Sequence, residues 1–313
     1  MTVKGESRRI KEKYVRGVVQ VMKHPYIAFI LSMFIFGSNG IIASHIPLSS
    51  YEIVLCRCLL GGVCLLAVAL YRHELSYLTK DWHATGWLVL GGLFMSGNWM
   101  FLYEAYQQIG VGLATIMCYA GPIIVIILSR FIFQEALTLP KILGIIMVTG
   151  GMLCINGTDF QSHGLSWGMA CGFLAALCFA LLVVSVKKSK GIPNVIFAAS
   201  QLLIAGFVVS IVTITAHEGP VVLDSLAILY ILIIGVFNSG FACLLYFGSV
   251  QMLPAQTVSI CGYIEPLSAL AFSIIFLGET LTVLQWSGAA LVLGGLFIAE
   301  FWKSQRLRNR VIE

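Results

Sequence analysis

The sequence predicts an all-α membrane protein of ten transmembrane helices, arranged as two inverted five-helix repeats. Three observations carry this reading. The 313 residues are 59% hydrophobic and only 11% charged, with a mean hydropathy of +0.94, where a soluble domain carries about 25% charged residues. The apolar runs do not alternate as barrel strands do, and each is long enough for the ~20 residues of helix that cross a bilayer. The stretch from Thr115 to Gly151 recurs 144 residues later, from Ser259 to Gly295.

Taken in order, residues 1–23 hold Lys4, Arg8, Arg9, Lys11, Lys13, Arg16 and Lys23, with no cleavage-type site following. They read as a basic cytoplasmic tail. The tail is either solvated or, since Ile10, Tyr14, Val18 and Val21 recur at helical spacing, laid as an amphipathic helix on the inner leaflet. Apolar spans follow at 25–45, 51–71, 84–108, 111–133, 139–156, 164–186, 194–215, 225–250, 255–277 and 281–302. Connectors are short and carry turn chemistry, as in Ser189-Lys190-Gly191-Ile192-Pro193. With the N-terminus inside, the inner connectors receive Arg72, Lys80, Lys141, Lys187, Lys188 and Lys190, and the basic tail 303–313 adds Lys303, Arg306, Arg308 and Arg310. The outer connectors receive neither Lys nor Arg, only groups such as Asp159, His163, Glu218, Asp224 and Glu279. This asymmetry predicts a multi-pass plasma-membrane protein with both termini cytoplasmic.

Residues 24–157 and 158–302 then hold five spans each, an odd number, so the two repeats enter the membrane from opposite sides. Tyr119 falls on Tyr263, Pro122 on Pro266, Glu135 on Glu279, Thr138 on Thr282, Gly144 on Gly288 and Gly151 on Gly295. Shifted by one residue, Ser96-Gly97 falls on Ser239-Gly240 and Leu102-Tyr103 on Leu245-Tyr246. Arg57 aligns with Gln201 and Gly62 with Gly206, while the first spans show little similarity. Inverted repeats of this kind are a carrier architecture, with the substrate held near the midplane at their interface. The net charge of +5 is spread as orientation signals and does not point to nucleic acid. Nine cysteines without CxxC or His-rich spacing read as buried thiols, so neither metal nor cofactor is expected. No converging nucleophile and base marks an enzyme, and no ring of charge marks a channel.

Glu265 lies about ten residues into the ninth span, ~15 Å deep at ~1.5 Å per residue. A carboxylate there costs at least ~2.5 kcal/mol unless it faces a wet cavity or a partner. It reads as a proton-coupling or amine-binding acid, or else as a protonated group bonded to a neighbouring carbonyl. Arg57 in the second span and Glu104 in the third lie at similar depth, which predicts that they pair as an outer gate or as a static clamp. Asn39, Asn98 and Asn238 in mid-span, with Tyr119 and Tyr263 three residues before the repeated prolines, suit a substrate cavity as well as they suit interhelical bonding. Trp99, Tyr103 and Tyr246 would add aromatic walls. Pro122 and Pro266 each remove a backbone bond and kink their helices. Glu135 and Glu279 read as structural groups at helix ends, with Thr138 and Thr282 capping the helices that follow. Gly164, Gly168, Gly172, Ala176 and Ala180 form a small-residue packing stripe.

Gly37-Ser38-Asn39, Arg57, Pro122…Glu135-Ala136-Leu137-Thr138…Gly144 and Pro266…Glu279-Thr280-Leu281-Thr282…Gly288 together resemble the EamA family of the drug/metabolite transporter superfamily. The resemblance covers nearly the whole chain outside the basic tails. It implies secondary transport, usually export, of small metabolites such as amino acids or amines, with efflux of drugs or toxic compounds as the alternative. The partners it implies are a small-molecule substrate, the lipid bilayer and, through Glu265, protons. Glu104 departs from the pattern, since relatives generally carry an uncharged residue there. The sequence does not fix an oligomeric state.

Overall fold

The computed structural model describes residues 24–156, 167–215, 224–278 and 280–309. Among these, every regular element is a helix. The basic tail 1–23 and the connectors bearing Asp159, His163 and Glu218 lie outside the described residues, as do Gly164 and Glu279.

Helices α1 (Pro25–Gly37) and α2 (Asn39–Ala43) form one apolar segment that bends at Ser38, with Pro25 at the first helical turn. The next, α3 (Ser50–Tyr71), opens on a capping box. In it the Ser49 backbone amide donates to Glu52 Oε2 (2.9 Å) and the Glu52 amide to Ser49 Oγ (3.4 Å). A 3₁₀ turn (Glu74–Ser76) and α4 (Tyr77–Lys80) then cross the surface to α5 (Trp82–Cys118). The Asp81 carboxylate starts α5 by accepting from the His83 and Ala84 amides.

Gly110 splits α5, with φ 77° and ψ 161°, a backbone conformation that glycine adopts without strain. The chain reverses there. Counting forward, contacts run from Asn98 beside Ala175 to Ile109 beside Gly168, and then back from Met117 beside Gly172 to Gly121 beside Ala176. Helices α6 (Ala120–Ile132) and α7 (Leu139–Asn156) complete the first half. The second half holds α8 (Trp167–Lys188), α9 (Asn194–Thr215), α10 (Ser225–Leu232), a π-helical segment (Ile233–Phe241), α11 (Ala242–Met252), α12 (Ala255–Cys261), α13 (Ile264–Leu277) and α14 (Val283–Asn309).

Eight helical segments among the described residues are long and apolar enough to cross a bilayer, and the apolar helix at Leu139–Ile155 is slightly shorter. Large apolar side chains face outward, with Phe131, Phe207 and Ile275 each more than two-thirds exposed. In water that surface would be an aggregation liability; against lipid it is the expected exterior. The chain is an all-helical, multi-pass membrane protein.

The packing has an exchange symmetry. Helix α1 packs on α11 and α13, and its counterpart α8 packs on α5 and α6. Helix α3 meets the π-helical segment, as α9 meets α5. The pairs α3–α9 and α7–α14 join each element to its own counterpart. The α7–α14 contact is antiparallel and backbone-close. A Cβ on Gly144 would lie 2.7 Å from Gly295 O, and one on Gly288 would lie 2.6 Å from Gly151 O. Gly144 and Gly288 are repeat counterparts, as are Gly151 and Gly295, so one contact is made twice. The small-residue stripe of α8 faces inward, with Gly168 against Gln108 and Ile109 and Gly172 against Met117.

Capping follows the expectation at one end of the repeat only. Thr282 and Gln285 form the capping box that opens α14 (amide-to-side-chain distances 2.9 and 3.3 Å). Thr138 Oγ1 is buried and makes no hydrogen bond, so its side chain does not cap α7; only its carbonyl accepts from the Lys141 and Ile142 amides. Glu135 serves a different helix from the expected one. Its two carboxylate oxygens accept from the Ala255 and Gln256 amides (2.7 and 3.0 Å), capping α12 in the other half.

Candidate functional site

A cavity of about 280 Å³ lies between the halves. Its walls come from α1, α2, α3, both arms of α5, α6, α8, α11, α12 and α13. The two proline helices give it its shape. Pro122 and Pro266 have no amide to bond Cys118 O and Gly262 O, and the helices break just there. Helix α5 gives way to α6 at Tyr119 (φ −70°, ψ −3°), and α12 to α13 after Tyr263 (φ −70°, ψ −4°). The two breaks touch: the Tyr263 hydroxyl donates to Tyr119 O (2.8 Å), with the rings 5.6 Å apart. Pro122 lines the cavity and Pro266 does not, although both set its outline.

Glu265 stands in the first turn of α13 beyond the break, with its side chain exposed to the cavity. Among the described residues its carboxylate makes no hydrogen bond or ion pair. Arg57 reaches the same cavity from α3. Its Nε donates to Ser239 Oγ (2.8 Å), and its guanidinium carbon lies 5.4 Å from the centroid of the Trp99 ring. Asn39, Asn98, Tyr119 and Tyr263 also line the space, as do Trp99 and Tyr246. Tyr103 lies outside it, tilted against the Tyr51 ring and edge-on to the Tyr106 ring.

Two further sequence expectations differ from the geometry. Glu104 does not pair with Arg57; it accepts from Gln108 one turn along its own helix (3.1 Å), and its side chain faces away from the cavity. Asn238 is 1% exposed and outside the lining. Its Nδ2 lies within 3.0 Å of Ile35 O, Ser38 Oγ and Asn39 Oδ1, so it binds the bend of α1 to the π-helical segment. Asn98 does both jobs, lining the cavity while donating to Ala175 O (2.8 Å).

Sequence reasoning missed Ser239 as the partner of Arg57. The repeat carries no signal for it, since Gln201, the counterpart of Arg57, donates from Nε2 to Leu88 O on α5 (2.7 Å) and not to Ser96, the counterpart of Ser239. The end of the molecule bearing Lys141 and Lys187 is sealed. Lys141 Nζ donates to Gln256 Oε1 (2.6 Å), Lys187 Nζ donates to Leu253 O, and Glu135 holds α12. Residues 195–199, 248–250 and 255–257 are buried there. At the opposite end the lining is half-exposed at Asn39, Leu102, Tyr106 and Thr115.

A helical membrane protein with a solvent-reaching, mixed polar and aromatic cavity between its two halves has the form of a transporter. The chain belongs to the EamA-like transporter family, whose pattern matches residues 24–157 and 166–301. It is 28% identical to a Bacillus subtilis (strain 168) protein named uncharacterized transporter YxxF, over 86% of this chain and 87% of that one. It is 24% identical to the WAT1-related chloroplastic protein At3g02690 of Arabidopsis thaliana, over 87% of this chain and 68% of that one. A solved crystal structure shares the fold, with a TM-score of 0.77 at 17% identity, covering 89% of this chain and 98% of its own.

Proposed function

We propose that this transporter is a secondary carrier that exports small metabolites, amino acids or amines, across the plasma membrane by alternating access. In this reading the chain has ten spans. The Trp82–Ile109 arm of α5 and the helix α7 join the eight longer apolar segments. The halves 24–157 and 158–302 are inverted repeats, and both basic tails are cytoplasmic. The twofold pattern of helix neighbours and the doubled glycine contact of α7 with α14 support the repeat. The sealed end is then the cytoplasmic one, where the basic connectors gather.

The observation that carries the reading is Glu265, an unpartnered carboxylate open to a central cavity close to the size of small-ligand pockets. Substrate ammonium and a proton would compete for that carboxylate, so release of one permits binding of the other. The other titratable groups around the cavity are Arg57, Tyr106, Cys118, Tyr119, Cys243, Tyr246 and Tyr263. Arg57 contributes a fixed positive charge, and the phenols and thiols stay neutral near pH 7 by their ordinary values. In proteoliposomes, a counterflow screen with amino acids, amines and nucleosides is expected to give saturable exchange. An imposed pH gradient should drive accumulation in the wild type and not in Glu265→Gln. Unchanged pH-driven accumulation in that variant would falsify proton coupling through Glu265.

A further inference from the structure

Arg57 and Glu265 face one cavity without forming an ion pair. Both are reachable from the cavity, Glu265 exposed and Arg57 partly buried. The guanidinium is not free to swing toward the carboxylate, because it is held at two points. Ser239 Oγ takes its Nε, and Trp99 lies beneath its plane. Ser239 is itself oriented by its backbone. In the π-helical segment its hydroxyl donates to Ile234 O five residues earlier (2.9 Å), leaving its lone pair for Arg57. The residue is fully buried, so this arrangement is fixed by packing. With Nε occupied, the two terminal nitrogens have no hydrogen-bond partner among the described residues. Their fork geometry suits a carboxylate.

We propose that Ser239 and Trp99 are positioning residues that hold Arg57 as the anchor for a substrate carboxylate, so that the cavity selects zwitterions over simple amines. The substrate carboxylate bonds the terminal nitrogens of Arg57, and its ammonium faces Glu265. The aromatic walls from Tyr106, Tyr119 and Tyr246 cover the rest. This inference rests on the carrier reading above and sharpens it, since Glu265 alone would accept an amine as readily as an amino acid.

The test is counterflow in proteoliposomes with the twenty protein amino acids and, for each, the amine lacking the carboxyl group. At least one amino acid is expected to exchange tenfold or more better than its amine. Ser239→Ala should reduce that ratio to near one by raising the half-saturation concentration for the amino acid alone. Arg57→Gln, which installs the residue found at the counterpart position 201, should do the same while retaining the bond to Ser239. Its thermal stability in detergent checks folding independently. Trp99→Phe should give an intermediate ratio. Amines exchanging as well as amino acids, or Ser239→Ala slowing both members of a pair equally, would overturn the zwitterion assignment and leave the carrier intact. Absence of exchange for every solute would instead overturn the carrier reading, and this inference with it.

Discussion

Gly37 occupies the closest approach between α1 and α13. A Cβ there would lie 2.0 Å from Ser268 Oγ and 2.9 Å from Glu265 O. Gly37→Ala must therefore push α13 and its carboxylate away from α1. Overpacking of this kind costs about 1–3 kcal/mol. A lowered unfolding midpoint in detergent, with impaired transport, is the expected result, and a wild-type midpoint would contradict the packing. Depth along a span is readable at this scale, because it follows from residue count at ~1.5 Å per residue. Depth put Arg57 and Glu104 at one level and Asn39, Asn98 and Asn238 in mid-span. The direction each side chain faces depends on how its helix is rotated against neighbours far away in sequence. Arg57 consequently meets Ser239, 182 residues on, and Asn238 meets the α1 bend about 200 residues back.

At the scale of elements, the two proline helices break alike because Pro122 and Pro266 each delete the bond to the residue four positions earlier. Pro122→Ala restores that donor opposite Cys118 O and is expected to straighten α5 into α6. Helix content by circular dichroism should persist while counterflow falls several-fold; undiminished counterflow would mean the break has no part in transport. The cap on α12 makes a second prediction. Hydrogen bonds to a charged group contribute about 1.5–3 kcal/mol, and Glu135 makes two of them across the halves. Glu135→Gln turns one acceptor into a donor facing an amide. It should lower the unfolding midpoint more than Glu104→Gln does, since Glu104 bonds only Gln108 on its own helix. The repeated Glu-x-Leu-Thr made a structural role for Glu135 legible, but the local spacing pointed to α7 as its target. Only the meeting of the α6–α7 connector with the start of α12 supplies the true one.

For the whole molecule, one end is sealed and the other admits solvent to the cavity. In a cysteine-free background, Leu102→Cys is expected to react with a membrane-impermeant maleimide added outside intact cells. Ala198→Cys, fully buried at the sealed end, should react far more slowly from either side. Faster labelling at 198 would reverse the sense of the opening, and labelling of Leu102→Cys only from the cytoplasmic side would reverse the orientation. The duplicated glycines meet in the doubled contact of α7 with α14, whereas Arg57 and Glu265, which the repeat does not duplicate, both face the cavity.

The sequence by itself determined the helical class, the apolar segments, the duplicated scaffold and the family. Each of these follows from local rules: a bilayer demands internally bonded helices, lysine and arginine collect on one side, and backbone-close helix pairs require glycine. Only the tertiary structure decided which polar groups meet. It gave Arg57 to Ser239 and Trp99 instead of Glu104, turned Asn238 from the cavity to the α1 bend, and sent Glu135 across to α12. Those choices depend on the rotation and crossing of helices distant in sequence, which spacing along one chain does not encode.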